Sequence, residues 1–260
     1  MSLSPEQKQE LATQVDFESG IFSTIDSESP TFLKKLELIQ YWYEEESAQL
    51  EQDFPATVQI QRNVELEGTG SSRFIKLQLD GVFFEVDTPD AISVILRLRS
   101  KLPKGYMPIT LDFQRREELL KEDFEEALGN SAERSLIGVV KLDDHFQIVQ
   151  FFGTAAGNYE LSNVDIINKL HAWEKLCDFE IMGGGGDTLE LAFKTLPEDR
   201  LAFAEDVYDF CPDLMDQGYV GPPLGEGATM EDYAEAMDEQ TIEDLVDYLE
   251  RNMAVGFWWD

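Results

Sequence analysis

The spacing of apolar residues along the first half of the chain predicts a mixture of helices and strands. A short helix is predicted over residues 4–15, and residues 57–61 alternate like a strand. Apolar side chains recur at helical spacing over residues 31–50, which predicts a helix with one core-facing stripe. The residues of that stripe are Phe32, Leu33, Leu36, Leu38, Ile39, Trp42 and Tyr43.

The next segment carries the pattern of a β-hairpin. Residues 74–79 and 82–86 both alternate between apolar and polar side chains, and Asp80-Gly81 lies between them. An Asp-Gly pair between alternating runs is typical of a tight hairpin turn. A helix over 88–102, a strand over 106–113 and an acidic helix over 114–128 are predicted next. The apolar residues expected on the inner face of the first of these helices are Ile92, Ile95, Leu96 and Leu98.

The second half reads as strands and helices in a recognisable order. Strands are predicted over residues 136–142, 179–182, 188–193 and 254–259, and helices over 162–177, 197–210, 230–237 and 241–251. Residues 145–152 form a short helix, with a strand as the alternative. Without the shorter helices the order is strand, helix, strand, strand, helix, strand, which is that of a ferredoxin-like split βαβ layout.

These elements predict an α+β protein with helices covering a mainly antiparallel sheet. We expect an N-terminal arm over residues 1–30, a smaller α+β region over 31–130 and a ferredoxin-like C-terminal domain over 131–260. The final segment carries Phe257, Trp258 and Trp259, and aromatic side chains there predict a strand docked within the sheet. In that strand Phe257 and Trp259 share a core face, and Trp258 lies on the other face, either packed or open as a patch.

Charge changes the picture most. The 53 acidic and 20 basic residues give a net charge of −33, and residues 197–260 hold 18 acids and two bases, a net charge of −16. Such a field repels nucleic acid and anionic membranes and favours a basic protein as partner. An acidic surface that only promotes solubility is the alternative interpretation.

The compartment expected from the sequence is a reduced, bacterial-type cytoplasm. Residues 1–8 lack the pattern of a secretory signal, and no apolar run approaches the length of a transmembrane helix. Cys177 and Cys211 are too few to form a disulfide framework.

Several short motifs in the second half occur in a specific order. They are Thr154 with Asn158-Tyr159, the run from Gly183 to Asp187, Leu196-Pro197, Cys211-Pro212-Asp213 with Gln217-Gly218, and Trp258-Trp259-Asp260. Together they resemble DUF4253, a bacterial domain family of unknown function, over about residues 136–260. Two features depart from the family pattern: Ala155 and Ala156 leave the first loop without its expected Asp, and the segment over 219–240 is longer.

The motif residues are the candidates for a functional cluster: Asn158, Tyr159, Asp187, Cys211, Asp213, Gln217, Trp258, Trp259 and Asp260. Cys211 is the obvious nucleophile, but the end of a helix and the flanking Asp209 and Asp213 disfavour its thiolate. We therefore expect a buried structural cysteine. The Gly183–Gly186 run precedes a strand rather than a helix, so it predicts a mobile hairpin turn instead of a phosphate loop.

Two classes of function follow. The first is a non-enzymatic interaction module, such as an inhibitor or immunity protein that binds a basic nuclease toxin. The second is a hydrolase-like or metal-binding enzyme, in which Asp187, Asp213, Asp216 and Asp260 hold a divalent cation. We expect no cofactor apart from that cation, and the lack of a coherent catalytic set favours the first class.

Overall fold

One long strand organises the first part of the fold. The computed structural model describes residues 3–28, 30, 32–43, 57–66, 68–69, 72–111, 118–121, 130, 133–222, 224 and 229–260. The chain divides into two units, residues 1–153 and residues 154–260. Among its described residues, the first unit contains the helices α1 Pro5–Gln14, α2 Ser19–Asp26, α3 Ala91–Lys101 and α4 Phe146–Phe152. Its strands are β1 Lys34–Tyr43, β2 Gln59–Val64, β3 Phe74–Asp87, β4 Met107–Leu111 and β5 Arg134–Val140.

These strands form one antiparallel sheet within the described residues. β3 pairs with β1 along one side, and with β2 and then β5 along the other, while β4 pairs with the far side of β5. The N-terminal residues are packed, since α1 buries Leu11 and Ala12, and α2 buries Ile21, Phe22 and Ile25.

The predicted helix over residues 31–50 is wrong where the structure describes it, because β1 occupies that stretch. Leu36 and Leu38 are buried while Lys35 and Glu37 are exposed, which is the alternation of a strand. Pairing with β3 from Lys34 to Tyr43 outweighs the local helical spacing. Residues 44–50 of this prediction lie outside the described residues.

The predicted hairpin at Asp80-Gly81 is also wrong, because β3 runs straight through it. Gly81 pairs with Leu36 on one side and with Val140 on the other. A Cβ at this position would collide with the backbone carbonyl oxygen of Val139. The glycine therefore permits a close approach of β5 rather than a turn.

The other predictions for this unit fare better. The strands over 57–61, 106–113 and 136–142 and the helix over 88–102 are confirmed with shifted ends. In α3, however, Val94 is buried with Ala91, Ile95 and Leu98, whereas Ile92 is 39% exposed. Residues 145–152 are the helix α4, which Gly153 ends at a φ of 67°. The acidic helix predicted over 114–128 lies outside the described residues except for 118–121.

The second unit places helices against a three-stranded sheet. Its helices are α5 Asn163–Trp173, α6 Arg200–Phe210, α7 Asp213–Asp216, α8 Met230–Glu239 and α9 Ile242–Asn252. Its strands are β6 Phe179–Gly184, β7 Thr188–Phe193 and β8 Ala254–Trp258. β7 lies between β6 and β8, and both pairs are antiparallel. The α+β class with antiparallel sheets is thus confirmed.

The ferredoxin-like split βαβ layout is not confirmed. The strand that would begin it, β5, pairs with β3 and β4 in the sheet of the first unit. The boundary between the units lies after Gly153, whereas the sequence predicts a domain boundary after residue 130.

The core of the second unit is aromatic and centres on Phe210. Its ring makes edge-to-face contacts with Trp173, Phe257 and Trp259 at centroid distances of 5.1, 5.3 and 5.2 Å. The final strand is therefore fixed in the core by the side chains that face α5 and α6. The helix predicted from Pro197 begins at Arg200 instead, because the Asp199 carboxylate caps it by accepting from Ala202 N at 3.1 Å.

Candidate functional site

Four of the predicted site residues meet at the carboxylate of Asp213. Tyr159 donates its hydroxyl proton to Oδ1 at 2.6 Å, and Gln217 Nε2 donates to the same oxygen at 2.9 Å. The backbone N–H of Asp260 donates to Oδ2 at 2.9 Å. Asp213 begins α7 and is only 6% exposed. We call Tyr159, Asp213, Gln217 and Asp260 the Asp213 cluster.

The residues beside Asp213 also hold the final strand. The Cys211 thiol donates to the carbonyl oxygen of Trp258 at 3.4 Å, and Trp259 Nε1 donates to the carbonyl oxygen of Phe210 at 3.0 Å. Phe210 and the Cys-Pro-Asp turn that follows it therefore bond to three consecutive residues, the last residue of β8 and the two that follow it. These hydrogen bonds have a structural role, because they attach the final strand to the segment between α6 and α7.

Hydrogen bonding between Asp213 and Tyr159 shifts the pKa values of both groups. Burial raises the pKa of Asp213, but the bonds from Tyr159, the Asp260 N–H and Gln217 outweigh it and lower the pKa below 3.8. The bond to Asp213 raises the pKa of Tyr159 to about 12. Near neutral pH the carboxylate is ionised and the phenol is neutral. Neither group has a pKa suited to general acid–base catalysis at that pH.

Cys211 is fully buried, as the sequence predicts, and its pKa is raised to about 11. The largest cause is burial, and the neighbouring Asp213 adds a smaller effect. The sequence predicts that the helix end and the flanking acids disfavour the thiolate, whereas in the structure most of the effect comes from burial. Cys177 is also buried, and burial raises its pKa to about 11. A thiol with such a pKa has little thiolate at neutral pH and is a poor nucleophile.

Three predicted site residues are exposed and do not belong to the Asp213 cluster. The side chains of Asn158 and Asp187 are exposed, and Asp187 contributes only its carbonyl oxygen, which accepts from Trp259 N at 3.1 Å. Trp258 is 48% exposed on the outer face of β8. The strand prediction for residues 254–259 is confirmed, with Val255, Phe257 and Trp259 buried, but β8 is an edge strand of the described sheet and Trp258 is not buried.

The predicted convergence of four carboxylates does not occur as a metal site. Among the residues that the structure describes, no group of three or more His, Cys, Asp or Glu side chains is placed to hold a metal ion. Asp213 accepts the three donors above, and Asp216 accepts from the Tyr208 hydroxyl at 3.1 Å.

The glycine-rich segment is a hairpin turn between β6 and β7, as predicted, and the neighbouring loop holds it in place. The Thr154 hydroxyl donates to the carbonyl oxygen of Gly185 at 2.7 Å, and Ala155 N donates to that of Gly186 at 2.8 Å. Asn163 Nδ2 donates to the carbonyl oxygen of Thr154 at 2.9 Å. The prediction of a mobile turn overlooked these bonds.

The sequence does not reveal a cleft of about 690 Å³ between α8 and the α6–α7 region. Its lining combines two acids with apolar and aromatic side chains, among them Tyr208, Met215, Asp216, Met237, Asp238 and Ile242. The signal in the sequence was weak, because these residues are spread over four helices. Only the acidic composition of residues 197–260 pointed towards this region.

No helix among the described residues combines the length and the apolar character that crossing a membrane requires.

Comparison with known proteins identifies one family. Neither a curated protein nor a solved structure is significantly similar to the chain. Residues 136–260 match the model of the family described as Domain of unknown function (DUF4253). The match begins in β5 and ends at Asp260, so it includes every residue of the Asp213 cluster. By this match, and in agreement with the order of its motifs, the C-terminal half of the chain belongs to the DUF4253 family.

Proposed function

We propose that this protein is a non-enzymatic interaction module that binds a basic protein through the acidic helices of its second unit. The observation that carries the proposal is a group of exposed carboxylates on α8 and α9. We call five of them the acidic surface: Glu231, Glu235, Glu239, Glu243 and Asp247. Within the part of the chain that the structure describes, none of the five forms an ion pair or a side-chain hydrogen bond.

The two basic residues of this region leave that charge uncompensated. Arg200 Nε pairs with Glu250 at 3.3 Å. Arg251 Nη2 donates to the backbone carbonyl oxygens of Val220 and Gly221, at 3.4 and 3.1 Å. A partner that brings Lys or Arg side chains would neutralise the acidic surface and gain electrostatic steering.

The geometry of the Asp213 cluster supports the non-enzymatic part of the proposal. Its groups are engaged with one another and with the final strand, and the Cys211 thiol is protonated at neutral pH. Of the four carboxylates that the enzyme hypothesis requires, those of Asp213 and Asp216 therefore already accept hydrogen bonds within the fold.

The same charge argues against nucleic acid and anionic membranes as partners. An inhibitor or immunity role against a basic nuclease toxin is one form that the proposed binding takes. We place it in a reduced, bacterial-type cytoplasm, which is supported by two free cysteines that lie in the core.

The test compares two variants that lose the same charge. The surface variant carries E231Q, E235Q, E239Q, E243Q and D247N. The control variant changes five exposed carboxylates of the first unit, by E10Q, E18Q, E65Q, D90N and D143N. Wild type and both variants are immobilised, proteins captured from a lysate of the source cells are identified, and each is purified and titrated by calorimetry.

We expect a partner with a positive net charge that binds wild type and the control variant and loses at least about tenfold in affinity for the surface variant. A specific partner that binds all three proteins equally would overturn the proposal. A partner of negative net charge would do the same.

A further inference from the structure

We propose that the cleft between α8 and the α6–α7 region receives an arginine side chain of the basic partner. This inference rests on the proposed function and names the point of contact. The cleft volume of about 690 Å³ falls within the range of about 300–1,000 Å³ typical of ligand pockets. It therefore suits a short segment of chain that presents one long side chain.

The lining matches the two parts of an arginine side chain. Met215, Met237 and Ile242 provide apolar surface for the methylene stem. Asp216 on α7 and Asp238 on α8 provide negative charge for the guanidinium group. The Asp238 carboxylate is exposed and has no hydrogen-bond or ion-pair partner among the described residues. It is therefore available to a cation from another chain.

The Tyr208 side chain favours arginine over lysine. Its hydroxyl donates to Asp216 at 3.1 Å, which keeps the phenol beside one of the two acids. A planar guanidinium group binds carboxylates through several N–H donors and stacks on aromatic rings, whereas an ammonium group acts as a point charge. Methionine side chains adapt to an inserted stem because they are flexible and polarisable.

Gln240 holds the cleft in shape before any partner binds. Its Nε2 donates to the backbone carbonyl oxygens of Met215 and Gly218, the latter at 3.0 Å, and its Oε1 accepts from Val220 N at 3.1 Å. These bonds tie the junction of α8 and α9 to the turn that follows α7. The rings of Tyr219 and Tyr233 make an edge-to-face contact with their centroids 5.7 Å apart, which is a second contact between α8 and the segment after α7.

The face of α8 towards the cleft is also open. None of the described side chains of α8 is buried. A helix with apolar residues on one side and no buried side chain has surface to spare for a ligand. A fixed and open cleft loses little conformational entropy when a side chain enters it.

The first experiment titrates the protein with the peptide acetyl-Ala-Arg-Ala-amide. The matched peptide carries citrulline, which has the same shape as arginine without its charge. The signals are the ¹³C-methyl resonances of Met215 and Met237 in methionine-labelled protein, assigned with M215L and M237L. We expect a saturable shift of both resonances with the arginine peptide and at least about tenfold weaker binding of the citrulline peptide.

Two pairs of substitutions then distinguish binding by the cleft acids from attraction by the negative charge of the second unit as a whole. D216N/D238N removes the cleft charges, and E198Q/E205Q removes the same charge from exposed positions of the second unit that belong neither to the cleft lining nor to the acidic surface. We expect D216N/D238N to weaken arginine-peptide binding at least about tenfold and E198Q/E205Q to change it less than about twofold. Equal weakening by both pairs, or unshifted methionine resonances in the wild type, would overturn the inference.

Binding measurements with the partner distinguish a failure of the cleft inference from a failure of the proposed function. If D216N/D238N binds the partner like wild type while the surface variant does not, the proposed function stands and the cleft inference falls. If the surface variant binds like wild type, the proposed function falls.

Discussion

At Asp213, one carboxylate accepts hydrogen bonds from three segments that lie far apart in the sequence. Tyr159 comes from the loop before α5, Gln217 from the turn after α7, and Asp260 from the residues that follow β8. An ionised acceptor strengthens each of these bonds, because charge-assisted bonds are about twice as strong as neutral ones. Asp213 is therefore the residue that couples the motifs of the family to one another.

Replacing this carboxylate should destabilise the protein without changing its shape. In D213N one oxygen becomes an amide group that cannot accept from Asp260 N. We expect a loss of about 2 kcal/mol in the free energy of unfolding, as is typical of hydrogen bonds to charged groups. Urea denaturation followed by tryptophan fluorescence measures it, since Trp173, Trp258 and Trp259 report on the second unit. The control D216N, at an exposed acid, should lose less than about 0.5 kcal/mol.

The dependence on pH identifies the cause. The fold lowers the pKa of Asp213 below 3.8, so the unfolded chain takes up the proton first as the pH falls. The stability that the carboxylate contributes is therefore present above about pH 4 and is lost as the pH falls through the folded pKa. The difference between wild type and D213N should disappear in acid. A difference that persists unchanged there would contradict the hydrogen-bond account.

Cys211 gives a second prediction at this scale. Its burial and its pKa of about 11 leave almost no accessible thiolate near neutral pH. Labelling of native protein with a thiol-specific reagent at pH 7.5 should therefore be at least about a hundredfold slower than labelling in urea. The mutant C177A leaves Cys211 as the only thiol. Rapid labelling of native C177A would show that the thiol is reactive.

The sequence predicts the members of the Asp213 cluster better than it predicts their roles. The order of the motifs makes Tyr159, Asp213, Gln217 and Asp260 candidate site residues, and the structure connects them by hydrogen bonds. Which atoms meet depends on the packing of β8 beside α7, and no local pattern encodes that packing. The role of Gln240 cannot be predicted from the sequence, because its amide group forms hydrogen bonds only with backbone atoms of another segment.

Among the elements, β3 shows how tertiary pairing overrides a local signal. Asp80-Gly81 has the composition of a turn, yet β1 and β5 pair with the chain on both sides of it. The sequence of β1 predicts a helix for the same reason, since its apolar residues fit both periods until pairing selects one. By contrast, α5, α8 and α9 each begin with a capping box, which is a local signal, and the sequence predicts their first residues to within one position.

Gly81 supplies a test of the close approach between β3 and β5. In G81A the new methyl group would collide with the carbonyl oxygen of Val139, so the strands must separate. We expect a loss of about 1–3 kcal/mol in the stability of the first unit. The matched substitution G256A, in β8, meets no atom within 4 Å and should be nearly neutral. Equal stabilities of G81A and G256A, measured by circular dichroism in urea, would contradict the pairing of β3 with β5.

The two faces of β8 supply the second element-scale prediction. Phe257 is buried against Phe210, whereas Trp258 is 48% exposed. F257A should therefore cost about 3–5 kcal/mol, while W258A should cost less than about 1 kcal/mol. Deletion of residues 257–260 removes two buried aromatic side chains and a donor to Asp213, so the second unit should unfold or aggregate. A deletion variant that melts within a few degrees of the intact chain would show that these residues are not core.

For the whole molecule, the distribution of charge is the property that the sequence states most directly. Composition alone places a net charge of −16 in residues 197–260, and the structure exposes much of it on α8 and α9. Composition does not place the cleft, because the cleft forms only when Gln240 and Tyr219 position α8 beside α7. Like the charge, the fold class can be predicted from the sequence itself. The assignment of β5 to the first sheet cannot, because it depends on the complete set of strand pairs.

The central claim is recognition of a basic protein by the acidic helices of the second unit, and the dissociation constant as a function of salt tests it most directly. Exposed charges are screened over about 10 Å at 0.1 M salt and over shorter distances at higher salt. We predict that the affinity of the purified partner falls at least about tenfold between about 0.05 M and about 0.3 M sodium chloride, and that the surface variant loses this dependence. A tight partner whose dissociation constant is the same at both salt concentrations would contradict the account.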